Sequence, residues 1–222
     1  METTPVLLSW SGGKDSMMSL LALREDPAVE VAGLLTSVTS GYERVSVHGV
    51  RRELLDAQAA ALGLPVVEIH LAPESSNAAY EEAFAAAVAA PLARGVRTVA
   101  FGDLFLADVR AYREALLDRL GLDGLYPVWG RDTAAFARDV VARGVRAVLC
   151  AVDTGRLDAA FAGRDYDEAL LEELPEEVDP AGERGEFHTF VWDGPGFAAP
   201  VAIRRGKVED RPPMRYTDLL AG

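Results

Sequence analysis

Cysteine is almost missing from this chain: among 222 residues there is one, Cys150. A single thiol can build neither a disulfide nor a cysteine metal site within one chain, and its place in the apolar run 145–152 predicts a buried strand residue. Basic residues are scarce too. Lysine and arginine number 22 against 35 aspartates and glutamates, a formal net charge of −13. That balance argues against a broad nucleic-acid-binding face, because phosphate backbones are held mainly by Lys and Arg. Part of the acid is local, crowded at Glu172, Glu173, Glu176, Glu177 and Asp179, and such runs usually form a solvated face. Long apolar runs are also absent. The alanine-rich stretch 83–92 is interrupted by Pro91, and nothing approaches the roughly 20 apolar residues of a membrane span. Met1-Glu2-Thr3-Thr4-Pro5 lacks the basic flank of a signal peptide. The expectation is a cytoplasmic protein with no membrane partner and enough apolar residues for one large domain or two small ones.

What is present alternates regularly. Apolar runs at 5–10, 29–36, 65–71 and 97–102 read as buried strands. Between them lie helical patterns at 15–24, at 50–62 and from a cap at Ser75, Ser76 or Asn77 to just before Gly95; another follows at 108–120. A short fifth strand is expected over 125–129. This βαβ order implies a mostly parallel sheet covered by helices on both sides. Past Gly130 the pattern becomes a helix over 133–143, a strand over 145–152 and acidic helical segments up to Leu174. Strands at 186–192, 200–204 and 207–209 follow, with Arg205-Gly206 as a tight turn. We therefore expect an α/β first domain over residues 1–130 and a smaller C-terminal α+β domain over 131–222.

The chemistry concentrates first at Leu8-Ser9-Trp10-Ser11-Gly12-Gly13-Lys14-Asp15-Ser16. An apolar strand runs through two glycines into a helix start, so unpaired backbone N–H groups and the helix dipole converge on one spot that favours an anion. Paired glycines let the backbone fold around phosphate oxygens, Lys14 adds a cation, and Ser11 and Ser16 add hydroxyls. The loop is not a Walker motif, since Leu8 stands where its first glycine belongs and Asp15 follows the lysine. The dinucleotide fingerprint fails as well. A glycine-rich turn that only caps a helix is the plainer alternative.

Ser11-Gly12-Gly13-Lys14-Asp15-Ser16 after a first strand resembles the PP-loop of the ATP pyrophosphatases. Further along, Val47-His48-Gly49-Val50, Gln58-Ala59, Leu62-Gly63-Leu64-Pro65, Phe101-Gly102-Asp103, Pro127-Val128-Trp129 and the block Asp179 to Val191 stand in the same order as in the diphthine–ammonia ligase family. That resemblance covers nearly the whole chain, with departures at Val128, where leucine is usual, and at Ala181, where cysteine is common. It implies a PP-loop, Rossmann-like (HUP-like) fold and an AMP-forming ligase. Such an enzyme takes ATP and Mg²⁺, adenylates a carboxylate and transfers ammonia to it. It implies diphthine on elongation factor 2 as acceptor; where a host makes no diphthamide, the same chemistry serves another acceptor, a small molecule or a tRNA. A non-catalytic adenine-nucleotide-binding protein is the rival class, and a homo-oligomer is compatible with either.

For the site, the resemblance and the loop together assign nucleotide binding to Ser9, Ser11, Gly12, Gly13, Lys14, Asp15 and Ser16. Catalysis falls to Lys14, Glu186 and His188, substrate contacts to Gly102, Asp103, Glu183 and Glu186, and metal contacts to Asp15 and Asp103. On an extended strand Glu186, His188 and Phe190 share one face, and Glu183 and Asp179 can reach the same cleft from the preceding turn. This group can hold a cationic substrate, bind a metal or take a proton from ammonium. A structural Glu186–His188 pair is the alternative. Asp103 ends the fourth strand, where ligands of open sheets lie, or caps a turn. His48 can cap a helix, and His70 reads as structural. Trp129 and Trp192 suit adenine or a quaternary ammonium but read first as core aromatics.

Overall fold

The computed structural model describes residues 3–39, 44–45 and 49–222. The first half runs β1 (Thr4–Ser9), α1 (Lys14–Glu25), β2 (Val29–Thr39), β3 (Arg44–Val45), α2 (Arg52–Leu62), β4 (Val66–Leu71), α3 (Asn77–Ala93), β5 (Thr98–Ala100), α4 (Ala107–Leu120) and β6 (Asp123–Leu125). The second half runs α5 (Thr133–Ala142), β7 (Arg146–Asp153), α6 (Glu168–Glu173), β8 (Phe187–Asp193), β9 (Ile203–Arg211) and β10 (Met214–Ala221). Five strands pair in parallel in the order β4-β2-β1-β5-β6, and short β3 joins β2 antiparallel. Strand order reverses between β1 and β5, so the crevice at their C-terminal ends is the place where an open α/β sheet binds ligands. The fold is α/β, as the alternating runs predict, with a second, antiparallel sheet ordered β8-β7-β10-β9.

Both faces of the parallel sheet are covered, and β1 displays the consequence. Val6 and Leu8 join the core that includes α1, while Leu7 faces the opposite layer with Phe84, Val88, Leu116 and Leu117. This alternation follows from the period-two geometry of a strand buried on both sides. Helix α1 is buried along most of its length, including Ser16 and Ser19, because it is packed between the two sheets. Its Met17 and Leu20 share one apolar cluster with Val148, Phe187 and Phe190 of the second sheet. None of the described helices is long and apolar enough to cross a membrane.

Three expectations change. The fifth strand is Asp123–Leu125 rather than 125–129; its last ladder bond is Phe101 N–H to the Leu125 carbonyl at 2.9 Å, and Pro127, which has no N–H to offer, follows in a turn. The tail carries no turn at Arg205-Gly206. β9 continues through it, and the chain reverses at the cis Pro212-Pro213 into β10, which returns along it. Gly206 is there for closeness: a Cβ would meet the Asp218 carbonyl at 3.1 Å and Leu220 at 3.2 Å. The acidic stretch is not wholly a solvated face either, since Asp179 and Glu186 are buried.

The two halves are stitched by polar bonds in a dry setting. The carbonyl of Gly12 accepts from Gln58 Nε2 at 3.0 Å and from the Val191 N–H at 2.8 Å. Gln58 Nε2 also donates to the Val191 carbonyl at 2.5 Å, and its Oε1 accepts from Trp10 Nε1 at 3.0 Å. Gln58 is fully buried, so its amide is satisfied only by these partners. Gln58→Leu would take this partner from the Trp10 indole N–H and the Val191 carbonyl, at about 1 to 3 kcal/mol per unsatisfied group, while the Gly12 carbonyl would keep the Val191 N–H. We expect a large drop in melting temperature, checked by calorimetry; Gln58→Leu melting with the wild type would remove the seam as a structural determinant.

Candidate active site

No side chain caps α1 at Gly13, which leaves the first-turn amides their pull on negative charge. One is already engaged: the Lys14 N–H donates to Thr189 Oγ1 at 3.1 Å. Ser16 Oγ donates to the Gly13 carbonyl at 2.8 Å, and Ser11 Oγ accepts from the Gly13 N–H at 3.3 Å. The Ser11 proton is left for a loose 3.4 Å contact with Ser16 Oγ or for a ligand. Gly12 has φ +81°, and a Cβ there would meet Gln58 Oε1 at 2.8 Å. Glycine at this position is therefore demanded by the seam with Gln58 as well as by the turn.

An open cleft of about 260 Å³ lies against this loop. Ser9, Ser11, Lys14, Asp15 and Ser16 line it from β1 and α1, Gly102 and Asp103 from the end of β5, and Glu183 and His188 from the C-terminal half. Gly12 and Gly13 shape the turn without lining the cleft. Lys14 is buried, its ammonium 3.0 and 3.1 Å from the two Asp15 oxygens and 5.4 Å from the centre of the Phe187 ring. Asp15 does not cap the helix; it holds Lys14. Gly102 brings β5 close to α1, since a Cβ there would lie 3.0 Å from the Asp15 carbonyl carbon.

Asp103 pairs with Arg113, Oδ1 to Nη2 at 3.2 Å, while its Oδ2 is buried with no hydrogen-bond partner. Burial raises the Asp103 carboxyl pKa above its ordinary range, with Arg113 opposing and Asp15 reinforcing the shift. Among the described residues no three His, Cys, Asp or Glu side chains are grouped to hold a metal alone. Mg²⁺ does not require such a cage, because it keeps several waters and binds through one or two carboxylates plus phosphates. The orphaned Asp103 Oδ2 beside Asp15 fits that donor set.

Glu183 reaches across from the second half, and its Oε1 accepts the Leu104 N–H at 2.7 Å. Burial pushes its carboxyl up to about 7; the Leu104 bond and Lys14 pull down, and Asp15 and Asp103 push further up. The turn that presents it is braced from within. Glu186 accepts from the Asp179 N–H at 3.2 Å and the Arg184 N–H at 3.1 Å, Asp179 Oδ1 accepts from the Ala181 N–H at 2.9 Å, and Tyr166 Oη donates to the Pro180 carbonyl at 2.6 Å. Glu186 is therefore placed inside the turn and does not line the cleft, unlike His188. The extended-strand geometry that put them on one face begins only at Phe187.

Other candidates lie elsewhere. His70 is exposed on β4, 3.3 Å from Glu68; His48 lies outside the described residues. Trp129 packs edge-on against Tyr126, with Arg110 over both rings, and Trp192 lies beneath Arg146. Neither lines the cleft. Cys150 is buried as expected, its thiol pushed up to about 12 by desolvation. The sequence reading missed Arg113, which is singled out only by Asp103 and Phe101 that the fold brings to it.

The diphthamide synthase N-terminal domain matches residues 4–124, and the diphthamide synthase C-terminal domain matches residues 132–211. The chain belongs to the diphthamide synthase family. Among relatives of this family, the diphthine–ammonia ligase of Schizosaccharomyces pombe is 29% identical over 112 residues, 49% of this chain and 18% of that protein. The chain thus matches less than a fifth of the length of its curated relative. A solved structure, described as a predicted subunit of tRNA methyltransferase from Methanocaldococcus jannaschii, superposes with a TM-score of 0.42 at 17% identity, over 85% of this chain and 96% of that one.

Glu183 should mark the protein's stability against pH. The folded carboxyl keeps its proton up to about 7, whereas an unfolded glutamate loses it near pH 4.3. The folded state binds more protons across that window, so this residue withdraws stability as pH rises through it. Glu183→Gln abolishes that cost and keeps an oxygen for the Leu104 N–H. Its melting temperature should exceed the wild type's at about pH 8 and approach it at about pH 5; an equal offset at both would exclude ionisation as the source.

Proposed function

We propose that the protein is an ATP-dependent, AMP-forming ligase that joins ammonia to a carboxylate on an acceptor. Family membership and the name of the fission-yeast relative, diphthine–ammonia ligase, support the reaction class. The observation that carries the reading is Glu183, a carboxyl titrating at about 7 that faces the same cleft as the uncapped start of α1. A carboxyl so placed, in a cleft and titrating near neutral pH, is suited to take a proton from an amine. Diphthine on elongation factor 2 is the acceptor that the resemblance implies.

In this reading the triphosphate lies at the start of α1, held by the free first-turn amides and the Ser11 hydroxyl, with Lys14 adding positive charge from the cleft floor. The acceptor carboxylate attacks the α-phosphorus; the bond to the β-phosphate oxygen breaks and pyrophosphate leaves. Ammonia then attacks the acyl carbon of the mixed anhydride and AMP departs. The amine must lose a proton, and Glu183 as carboxylate receives it, with His188 nearby on the cleft wall. Mg²⁺, held by Asp103 and Asp15, would neutralise charge on the phosphate oxygens. Glu186 acts here by holding the turn that aims Glu183, not by touching substrate. Asp15, Asp103 and Glu183 also make the cleft acidic, which suits a cationic group on the acceptor and disfavours tRNA.

Turnover should release AMP and pyrophosphate; ADP and phosphate as the main products would place the chain in another class. Lys14→Ala, confirmed folded by its melt, should lose ATP binding in calorimetry. The rate of amide formation should rise with pH through about 7 as Glu183 loses its proton. Glu183→Gln should remove that rise and slow the reaction about 10² to 10⁴-fold while ATP affinity is retained. A full rate with an unchanged pH profile in Glu183→Gln would return the site to nucleotide binding alone.

A further inference from the structure

The cleft holds two cations, and they are employed differently. Lys14 is consumed internally, its ammonium against both oxygens of Asp15. Arg113 is the other. Its guanidinium lies over the Phe101 ring, 4.3 Å from the centroid, and Phe101 is in turn stacked on Tyr126 at 5.7 Å. This stack backs one face of the guanidinium, and Arg113 lines the cleft. Its carboxylate neighbour among the described residues is Asp103, Oδ1 to Nη2 at 3.2 Å. A bidentate Arg–carboxylate fork would use two short parallel bonds; Arg113 and Asp103 are charge neighbours without that fork.

Position narrows what such a group meets. Asp103 follows Gly102, whose Cα approaches the Asp15 and Ser16 backbone so closely that a Cβ would lie 3.0 to 3.2 Å from it. Arg113 is therefore paired with the residue next to the one that touches the start of α1. Asp103 and Arg113 are 13% and 26% exposed, so water screens neither fully, and a doubly charged oxyanion entering beside them gains more from the guanidinium than it would at the surface.

We propose that Arg113 is a ligand-binding residue that holds the terminal phosphate oxygens of the nucleotide and of the pyrophosphate it releases. This rests on the nucleotide reading of the cleft. In the ligand-free protein Asp103 keeps the guanidinium in place, and a phosphate oxyanion takes up its N–H donors on binding. Recognition is thus divided: α1 holds phosphate through backbone amides, and α4 holds the far end through a planar, aromatic-backed cation.

Calorimetric titration with ATP, inorganic pyrophosphate and AMP separates the possibilities. Arg113→Met should weaken ATP and pyrophosphate by at least about tenfold, the loss expected for hydrogen bonds to a charged group, and leave AMP, which lacks the outer phosphates, unchanged. Arg113→Lys should restore part of the loss, because a phosphate accepts a point charge. Thermal melts of both variants check that neither loses its fold. Unchanged pyrophosphate and ATP affinity in both variants would overturn the assignment. So would equal weakening of all three ligands, which would place Arg113 at the α-phosphate or in the scaffold. A wild type that binds none of the three would overturn the nucleotide reading, and this assignment with it; a wild type that binds ATP and pyrophosphate beside indifferent variants overturns Arg113 alone.

Discussion

One carbonyl oxygen, that of Gly12, organises this molecule. It lies in the loop that starts α1, and it accepts N–H groups from α2 through Gln58 and from β8 through Val191. A buried carbonyl must be paired, and these partners come from segments far apart in the chain. The anion-directed loop is thereby locked to both the helix behind it and the second sheet in front of it. The same constraint explains the glycine: a side chain at residue 12 would collide with the amide that completes the seam.

The cleft electrostatics follow from that lock. Because β8 is bonded to the loop, the turn before it carries Glu183 over Asp15 and Asp103, and three carboxylates from three elements face one partly dehydrated space. Like charges at close range resist joint ionisation. The protein answers with Lys14 on Asp15, Arg113 on Asp103 and a backbone N–H on Glu183. For Glu183 burial outweighs the Leu104 N–H and Lys14, Asp15 and Asp103 add to it, and the carboxyl is pushed up to about 7.

Legibility in the sequence tracks how local the causes are. The β1–α1 loop, the alternation of strands and helices in the first half and the stops at Gly63 and Gly121 depend on short-range pattern and on left-handed glycines that end helices, with φ of 66° at both. The β9–β10 hairpin was hidden because a glycine in a charged run reads as a turn, whereas Gly206 answers to close packing across the strands. Glu186 was misplaced for a similar reason. Alternation along a strand puts it beside His188, but the strand has not begun at that residue, and two backbone N–H groups of the turn claim its oxygens. Arg113 could not be seen from spacing alone, since its importance comes from Phe101 and Asp103, which the fold brings to it.

Burial of α1 on both sides has a consequence for how such a chain can change over time. A helix with only one covered face can be re-partnered, because the sheet beneath keeps it in place while the outer surface drifts. Here Met17 and Leu20 belong to a cluster that also contains Val148 and Phe190, so a drift in either half is felt by the other through one shared helix. A change in one half is therefore constrained by the other, and exchanging one half alone would leave the glycine-rich loop without its wall. Room for novelty lies at the periphery instead, in segments such as the β9–β10 hairpin that extend the second sheet away from α1. New sequence can accumulate there while the centre is inherited as a unit.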